Sequence, residues 1–157
     1  MKLLLPLTIL FVLVAGSSLF AAEQGINETG KAFVKAFQAN DLEAVVALYA
    51  PDAELFPPDE MQAKGTDAIR ANYKGLFDHF TIQNIDIVEA EHETHGDISM
   101  SWGLFKMTMM PKGGGDPVHM EGRFSDISMK VNGKWLYKVD HASVPFQPAP
   151  GQTNSTK

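Results

Sequence analysis

The sequence predicts an α+β domain in which three N-terminal helices pack on one face of an antiparallel sheet. Three observations predict it. Apolar residues recur at helical spacing as far as Phe80. From Thr81 onward the pattern changes to long strand-like runs joined by short connections. Asn132-Gly133, set between two alternating runs, is a strong two-residue hairpin signal, because both residues tolerate the positive φ of a type I′ turn.

The first 22 residues stand apart. Lys2 precedes an apolar run from Leu3 to Val14, followed by Ala15-Gly16-Ser17-Ser18 and Ala21-Ala22. This is the layout of a secretory signal peptide, so the expectation is a secreted or periplasmic protein whose mature chain begins near Glu23. The apolar run is too short for a comfortable membrane span. An uncleaved anchor is the alternative, since Leu19 or Phe20 falls where a small residue is preferred before the cut. There is no cysteine, which excludes a disulfide and a lipid-modified cysteine anchor. Removing residues 1–22 leaves 12 basic against 19 acidic residues, a net charge of −7. An acidic domain without a basic run argues against nucleic acid or an anionic membrane as partner.

The domain proper is expected over residues 23–144. Ile26, Gly30, Phe33, Val34 and Phe37 place a first helix over 26–39. Asn40-Asp41 breaks it, and Asp41 caps a second, with Leu42, Val45, Val46 and Tyr49 as its buried stripe and Pro51 as its end. Ala53 to Phe56 reads as a short strand stopped by Pro57-Pro58. Thr66 is a good N-cap for a third helix, with Ile69, Tyr73, Leu76, Phe77 and Phe80 on its apolar face. Strands follow at Thr81–Glu91, Asp97–Met110, Val118–Val131 and Lys134–Val144, with Gly113-Gly114-Gly115 in a flexible hairpin loop. Residues 145–157, rich in Pro, Gln, Ser and Thr, read as a disordered tail.

The Asn132-Gly133 turn sets a register. With strict alternation it pairs Lys130 with Trp135, Ser128 with Tyr137, Asp126 with Val139 and Phe124 with His141, all on one face. Pairing Met109 with His119 across the glycine loop adds Ile98, Met100, Trp102 and Leu104 to that face. Phe105, Met107, Met109 and Ile127 then fall on the other, with His119, Glu121 and Arg123. An exposed face so apolar suggests a partner, most simply a second copy of the chain, so a homodimer is expected there.

Gln38-Ala39-Asn40-Asp41-Leu42, Leu48-Tyr49-Ala50-Pro51-Asp52-Ala53, Lys64-Gly65-Thr66-Asp67-Ala68-Ile69-Arg70, Asn132-Gly133-Lys134-Trp135 and Asp140-His141-Ala142-Ser143 together resemble the SnoaL-like branch of the nuclear-transport-factor-2-like superfamily. The resemblance covers about residues 26 to 144. It implies a strongly curved sheet with a conical pocket, and relatives that include ketosteroid isomerase, cyclases and dehydratases. In ketosteroid isomerase a carboxylate base moves the proton, and a tyrosine with a protonated aspartic acid stabilises the enolate. Aligned by these motifs, that tyrosine falls on Phe33 and that base on Pro57. Only the second acid has a match, Asp126. The resemblance thus supports fold and pocket and argues against isomerisation by that mechanism.

Two functions follow as expectations. The first is an exported module holding a small apolar molecule in the cone. The second is an enzyme of the isomerase, cyclase or dehydratase type, run by Asp126 and His141 as an acid–base pair. Asp126 is read either as a pocket acid or as a structural hydrogen-bond acceptor, and His141 as its diagonal partner or a satisfied core histidine. Tyr49, Phe56, Met61, Tyr73, Trp102, Phe124 and Tyr137 are the candidate ligand-binding residues. No cofactor is implied. His92-Glu93-Thr94-His95 lacks the spacing of a zinc helix motif, so no metal site is expected.

Overall fold

The computed structural model describes residues 26–58 and 60–145. The leader and nearly all of the C-terminal tail lie outside the described residues. Among the described residues three helices, α1 (Glu28–Gln38), α2 (Leu42–Val46) and α3 (Gly65–His79), accompany six strands. These are β1 (Tyr49–Phe56), β2 (Ala63–Lys64), β3 (Phe80–His95), β4 (Ile98–Pro111), β5 (Val118–Val131) and β6 (Lys134–Ser143). The sheet order is β2-β1-β6-β5-β4-β3. Every pair is antiparallel except β1 with β6, which is parallel.

Local chemistry explains the element ends. The Asn27 side chain accepts from the Gly30 amide at 2.8 Å and starts α1. Asn40 takes φ 55° after it, and its amide side chain clamps both backbone groups of Ile82 at 2.7 and 3.0 Å. Asp41 caps α2 through the Ala44 amide at 3.0 Å. Thr66 is not a cap, because α3 already begins at Gly65, whose φ of +80° turns the chain into the helix. Asn132 and Gly133 have φ 51° and 80°, the positive pair a type I′ turn requires.

Four boundaries differ from the sequence reading. α2 is short, and Tyr49 opens β1 instead of closing the helix. Pro51 is tolerated inside β1 because the ladder to β6 is interrupted between Tyr49 and Glu54, so its missing N–H costs no sheet hydrogen bond. The turn after β3 is Gly96-Asp97, so His92 to His95 lie in a strand. Phe80 begins β3 rather than ending α3.

Two register differences matter more. Lys130 does pair with Trp135, and Ser128 with Tyr137. The next pair is Ile127 with Val139, so Lys138 is an extra residue absorbed by a β-bulge. Beyond it Asp126 pairs with Asp140, Ser125 with His141 and Phe124 with Ala142. Lys138 reaches out to the Asp52 carboxylate at 2.5 Å and its carbonyl at 3.1 Å, where β1 leaves its register. Across the glycine loop Met109 meets Val118, one residue from the expected His119. A one-residue slip exchanges the faces of β4. Phe105, Met107 and Met109 therefore lie buried inside, not on an interface, and Ile98, Trp102 and Leu104 lie outside.

The core sits between α1, α3 and the concave sheet face. Phe33, Phe37, Tyr49, Tyr73, Phe77 and Tyr137 form one aromatic cluster, with ring centroids from 5.1 to 6.4 Å apart along its contacts. Two glycines make room for rings on the concave face. A Cβ at Gly103 would meet the Glu89 carbonyl oxygen at 2.0 Å and the Phe124 ring at 2.9 Å. One at Gly122 would meet the Phe105 ring and the Ser143 carbonyl oxygen at 2.6 Å.

Candidate functional site

The helices leave a cavity of about 400 Å³ over the concave face. One wall comes from α1 and α3, through Gly30, Phe33, Val34, Tyr73 and Leu76. The opposite wall comes from the sheet, through Phe105, Met107, Met109, Met120 and Phe124. Pro57, Pro58 and Glu60 contribute from the loop after β1. Apolar side chains line most of it, and the carboxyls on the sheet side are Asp126 and Asp140.

Both carboxyls come from one cross-strand row. His92, Ser101, Asp126 and Asp140 are successive register partners across β3, β4, β5 and β6. Asp126 is 4% exposed. Its Oδ1 accepts from the Asn27 amide nitrogen at 3.2 Å, and its Oδ2 from the Ser101 hydroxyl. Asn27 also points Nδ2 at the Ser99 and Ser101 hydroxyls, each at 3.4 Å. Burial pushes the Asp126 carboxyl up to about 6, against the opposing pull of Ser101 and Asn27. The buried Ser128 hydroxyl meets no partner in hydrogen-bond geometry, yet it lies close enough to favour the ionised acid.

Asp140 is half-buried and lines the cavity. The Tyr49 hydroxyl donates to it at 2.5 Å and lies 2.6 Å from the Tyr73 hydroxyl. Burial raises the Asp140 carboxyl to about 7; the Tyr49 donor opposes this and the Asp126 charge adds to it. Burial also lifts Tyr49, Tyr73 and Tyr137 well above the usual phenol range, so all three stay neutral. Raised to about 6 and about 7, both carboxyls lie close to neutral pH, where the site can offer or accept a proton.

The sequence-predicted residues divide. Asp126, Tyr73, Phe124 and Tyr137 line the cavity. Tyr49 stands directly behind Asp140. Four candidates fall elsewhere. His141 is exposed and packs on Phe56 at 6.2 Å between ring centroids, so Phe56 is also turned from the cavity. The Lys138 bulge is the physical reason, because it moves Asp140 inward and His141 outward. Trp102 is 38% exposed on the outer face, a consequence of the β4 slip, and cannot reach Asp126 through the sheet. Met61 is 88% exposed on the loop before β2. Phe33 and Pro57, where the isomerase tyrosine and base would fall, both line the cavity as apolar groups.

Sequence reasoning missed Asp140, Asn27 and Ser101. Asn27 carries a readable signal, an Asn followed by Glu28 at the head of a helical pattern. Asp140 carries a weaker one, a carboxylate within the largely apolar run from Trp135 to Ala142.

The sequence model of the SnoaL-like domain matches residues 31–137. No curated protein matches the chain. Solved structures share the fold. A ketosteroid isomerase-like protein from Erwinia carotovora is 22% identical with a TM-score of 0.67, covering 83% of this chain and 98% of its own. A nuclear transport factor 2 (NTF2-like) superfamily protein from Salmonella enterica is 18% identical with a TM-score of 0.70, covering 85% and 98%. An NTF2-like protein from Pseudomonas putida, of unknown function, is 20% identical with a TM-score of 0.65, covering 82% and 89%.

Proposed function

The chain belongs to the SnoaL-like domain family, and from that premise we propose that its cavity binds a small, mostly apolar molecule whose polar group meets Asp126, Asp140 and Tyr137. The carrying observation is an apolar cavity of about 400 Å³ with two carboxyls, Asp126 and Asp140, paired on one cross-strand row. Such a cavity suits an apolar body with one polar end. The test is native mass spectrometry of freshly purified protein, then titration with N-phenyl-1-naphthylamine, a neutral fluorescent probe. A co-purifying molecule or saturable one-to-one enhancement is expected, and Ala142→Trp, which fills the cavity, removes it. No adduct and no saturable enhancement in the folded protein overturns the reading.

Export belongs to the same reading, supported by the leader-like residues 1–22. Mass spectrometry of the secreted or periplasmic fraction should give a chain beginning near Glu23; retention of Met1 counts against it. A homodimer through the outer sheet face also belongs to it, now resting on Ile98, Trp102, Leu104 and Ile127.

A second reading is an enzyme of the isomerase, cyclase or dehydratase type, and one observation favours it. Asp140 takes the partner role foreseen for His141, beside an Asp126 already held near neutrality. Two carboxyls with different environments can divide the acid and base roles. Turnover lost in both Asp126→Asn and Asp140→Asn, with ligand binding retained, separates this from binding alone.

A further inference from the structure

The polar end of the cavity has an unusual composition. Asp126 and Asp140 are direct register partners, both facing the cavity. Glu60 is the third carboxyl in the lining, and among the described residues no Lys, Arg or His lines the space. The partners the two aspartates have are neutral: Asn27 and Ser101 for one, Tyr49 for the other. His92 stands farther along the same row, beyond Ser101, and its charge favours the ionised form of Asp126.

Tyr137 is an independent observation. It is 4% exposed and lines the cavity, and its hydroxyl has no hydrogen-bond partner among the described residues. That hydroxyl opens onto the cavity, where a bound group can meet it. The Ser128–Tyr137 pair lies next to the Asp126–Asp140 pair on the same face, with the Lys138 bulge between. Three oxygen acceptors thus gather at one end of an apolar space. Phe33, Tyr73 and Phe124 supply aromatic rings along its walls.

We propose that the cavity takes the protonated primary amine of a small aromatic or aliphatic molecule, its ammonium group held by Asp126, Asp140 and the Tyr137 hydroxyl. This deepens the binding reading given above and rests on it. A primary ammonium carries three N–H donors and no acceptor, which matches three acceptors and no donor cation. Its charge relieves the repulsion between adjacent carboxyls, and a hydrogen bond between charged groups is roughly twice as strong as a neutral one. The ring-lined walls favour a cation further. A ligand carboxylate or phosphate has no positive group to meet and would face two acids. The net charge of −6 draws cations toward the protein.

The test uses three molecules of one shape at pH 7.5: 1-naphthylmethylamine, 1-naphthylmethanol and 1-naphthoic acid, titrated calorimetrically into the full chain. The amine should bind at least about tenfold more tightly than the alcohol, and the acid should not bind. In Asp140→Asn the amine should fall to the affinity of the alcohol, while the alcohol keeps its own. Should that variant not fold, Tyr137→Phe serves as the second, with a smaller loss confined to the amine. Alcohol binding as tightly as amine overturns the amine inference and leaves the apolar-cavity reading standing. Binding of none of the three overturns both.

Discussion

Asp126 and Asp140 face one another directly across β5 and β6, inside the cavity and without a basic side chain between them among the lining residues. The pair is an electrostatic load in the empty protein. Each folded carboxyl is raised above its ordinary value of 3.8, to about 6 and about 7. A raised acid contributes stability that is fully present below its unfolded pKa and is lost as pH rises through the folded one. The ligand-free protein should therefore melt highest near pH 4 and lose roughly 4 kcal/mol between pH 5 and pH 8. Asp52, Glu54 and Asp78, lowered by exposed lysine partners, act in the opposite sense but only in more acid solution. Calorimetric melts across pH check this, and Asp140→Asn should flatten the profile and melt above wild type at pH 8. A melting point that climbs from pH 5 to pH 8 would refute the assignment.

Tyr49 serves two partners at once, Asp140 and Tyr73. Tyr49→Phe removes the donor to a buried carboxyl and leaves the Tyr73 hydroxyl without its neighbour. We expect a loss of about 1–3 kcal/mol in denaturant unfolding. The protonated-carboxyl infrared band of Asp140 should also persist to higher pH, because a group favouring the ionised form is gone. An unchanged band would show that Tyr49 does not hold Asp140.

Two glycines should respond oppositely to alanine. At Gly103 the added carbon strikes a backbone oxygen at 2.0 Å, which no rotamer change relieves. Gly103→Ala should destabilise by at least about 2 kcal/mol or abolish folding. Gly75 lies within α3 with nothing within 4 Å of its would-be Cβ. Gly75→Ala should stabilise by about 0.5–1 kcal/mol. Chemical denaturation of both variants decides the matter.

Association is predicted through the outer sheet face. Light scattering at micromolar concentration should give twice the chain mass. Leu104→Glu, placed among exposed Trp102 and Ile127, should halve it without lowering the content of folded protein. A wild-type monomer would remove the dimer.

Much of this architecture was legible because local chemistry wrote it. Asn132-Gly133 announced the last hairpin, and its nearest two inward pairs formed as alternation requires. Asp41, Pro57 and the aromatic spacing of α1 and α3 marked helices and breaks. The site was harder to read because a face assignment propagates along a strand. Nothing local distinguishes Lys138 as a bulge, and the partner its side chain meets is the distant Asp52 on a strand paired in parallel. The loop from Lys112 to Pro117 likewise allows more than one register, and the observed one is fixed by packing of Phe105, Met107 and Met109 under the helices. Each slip is one residue long, and together they account for the misplaced His141, Trp102 and interface residues.

Asn27 ties the start of α1 to the acid in the cavity. Its Oδ1 receives the Gly30 amide, while its Nδ2 donates to Asp126. One planar amide thus lies in series between a helix terminus and a titrating carboxyl, and hydrogen bonds in series polarise one another. When Asp126 is ionised, Nδ2 donates more strongly and Oδ1 becomes the better acceptor, tightening the first turn. When Asp126 is protonated, that turn loosens. The Gly30 amide is therefore a built-in gauge of charge inside the cavity, readable by hydrogen exchange without a probe molecule.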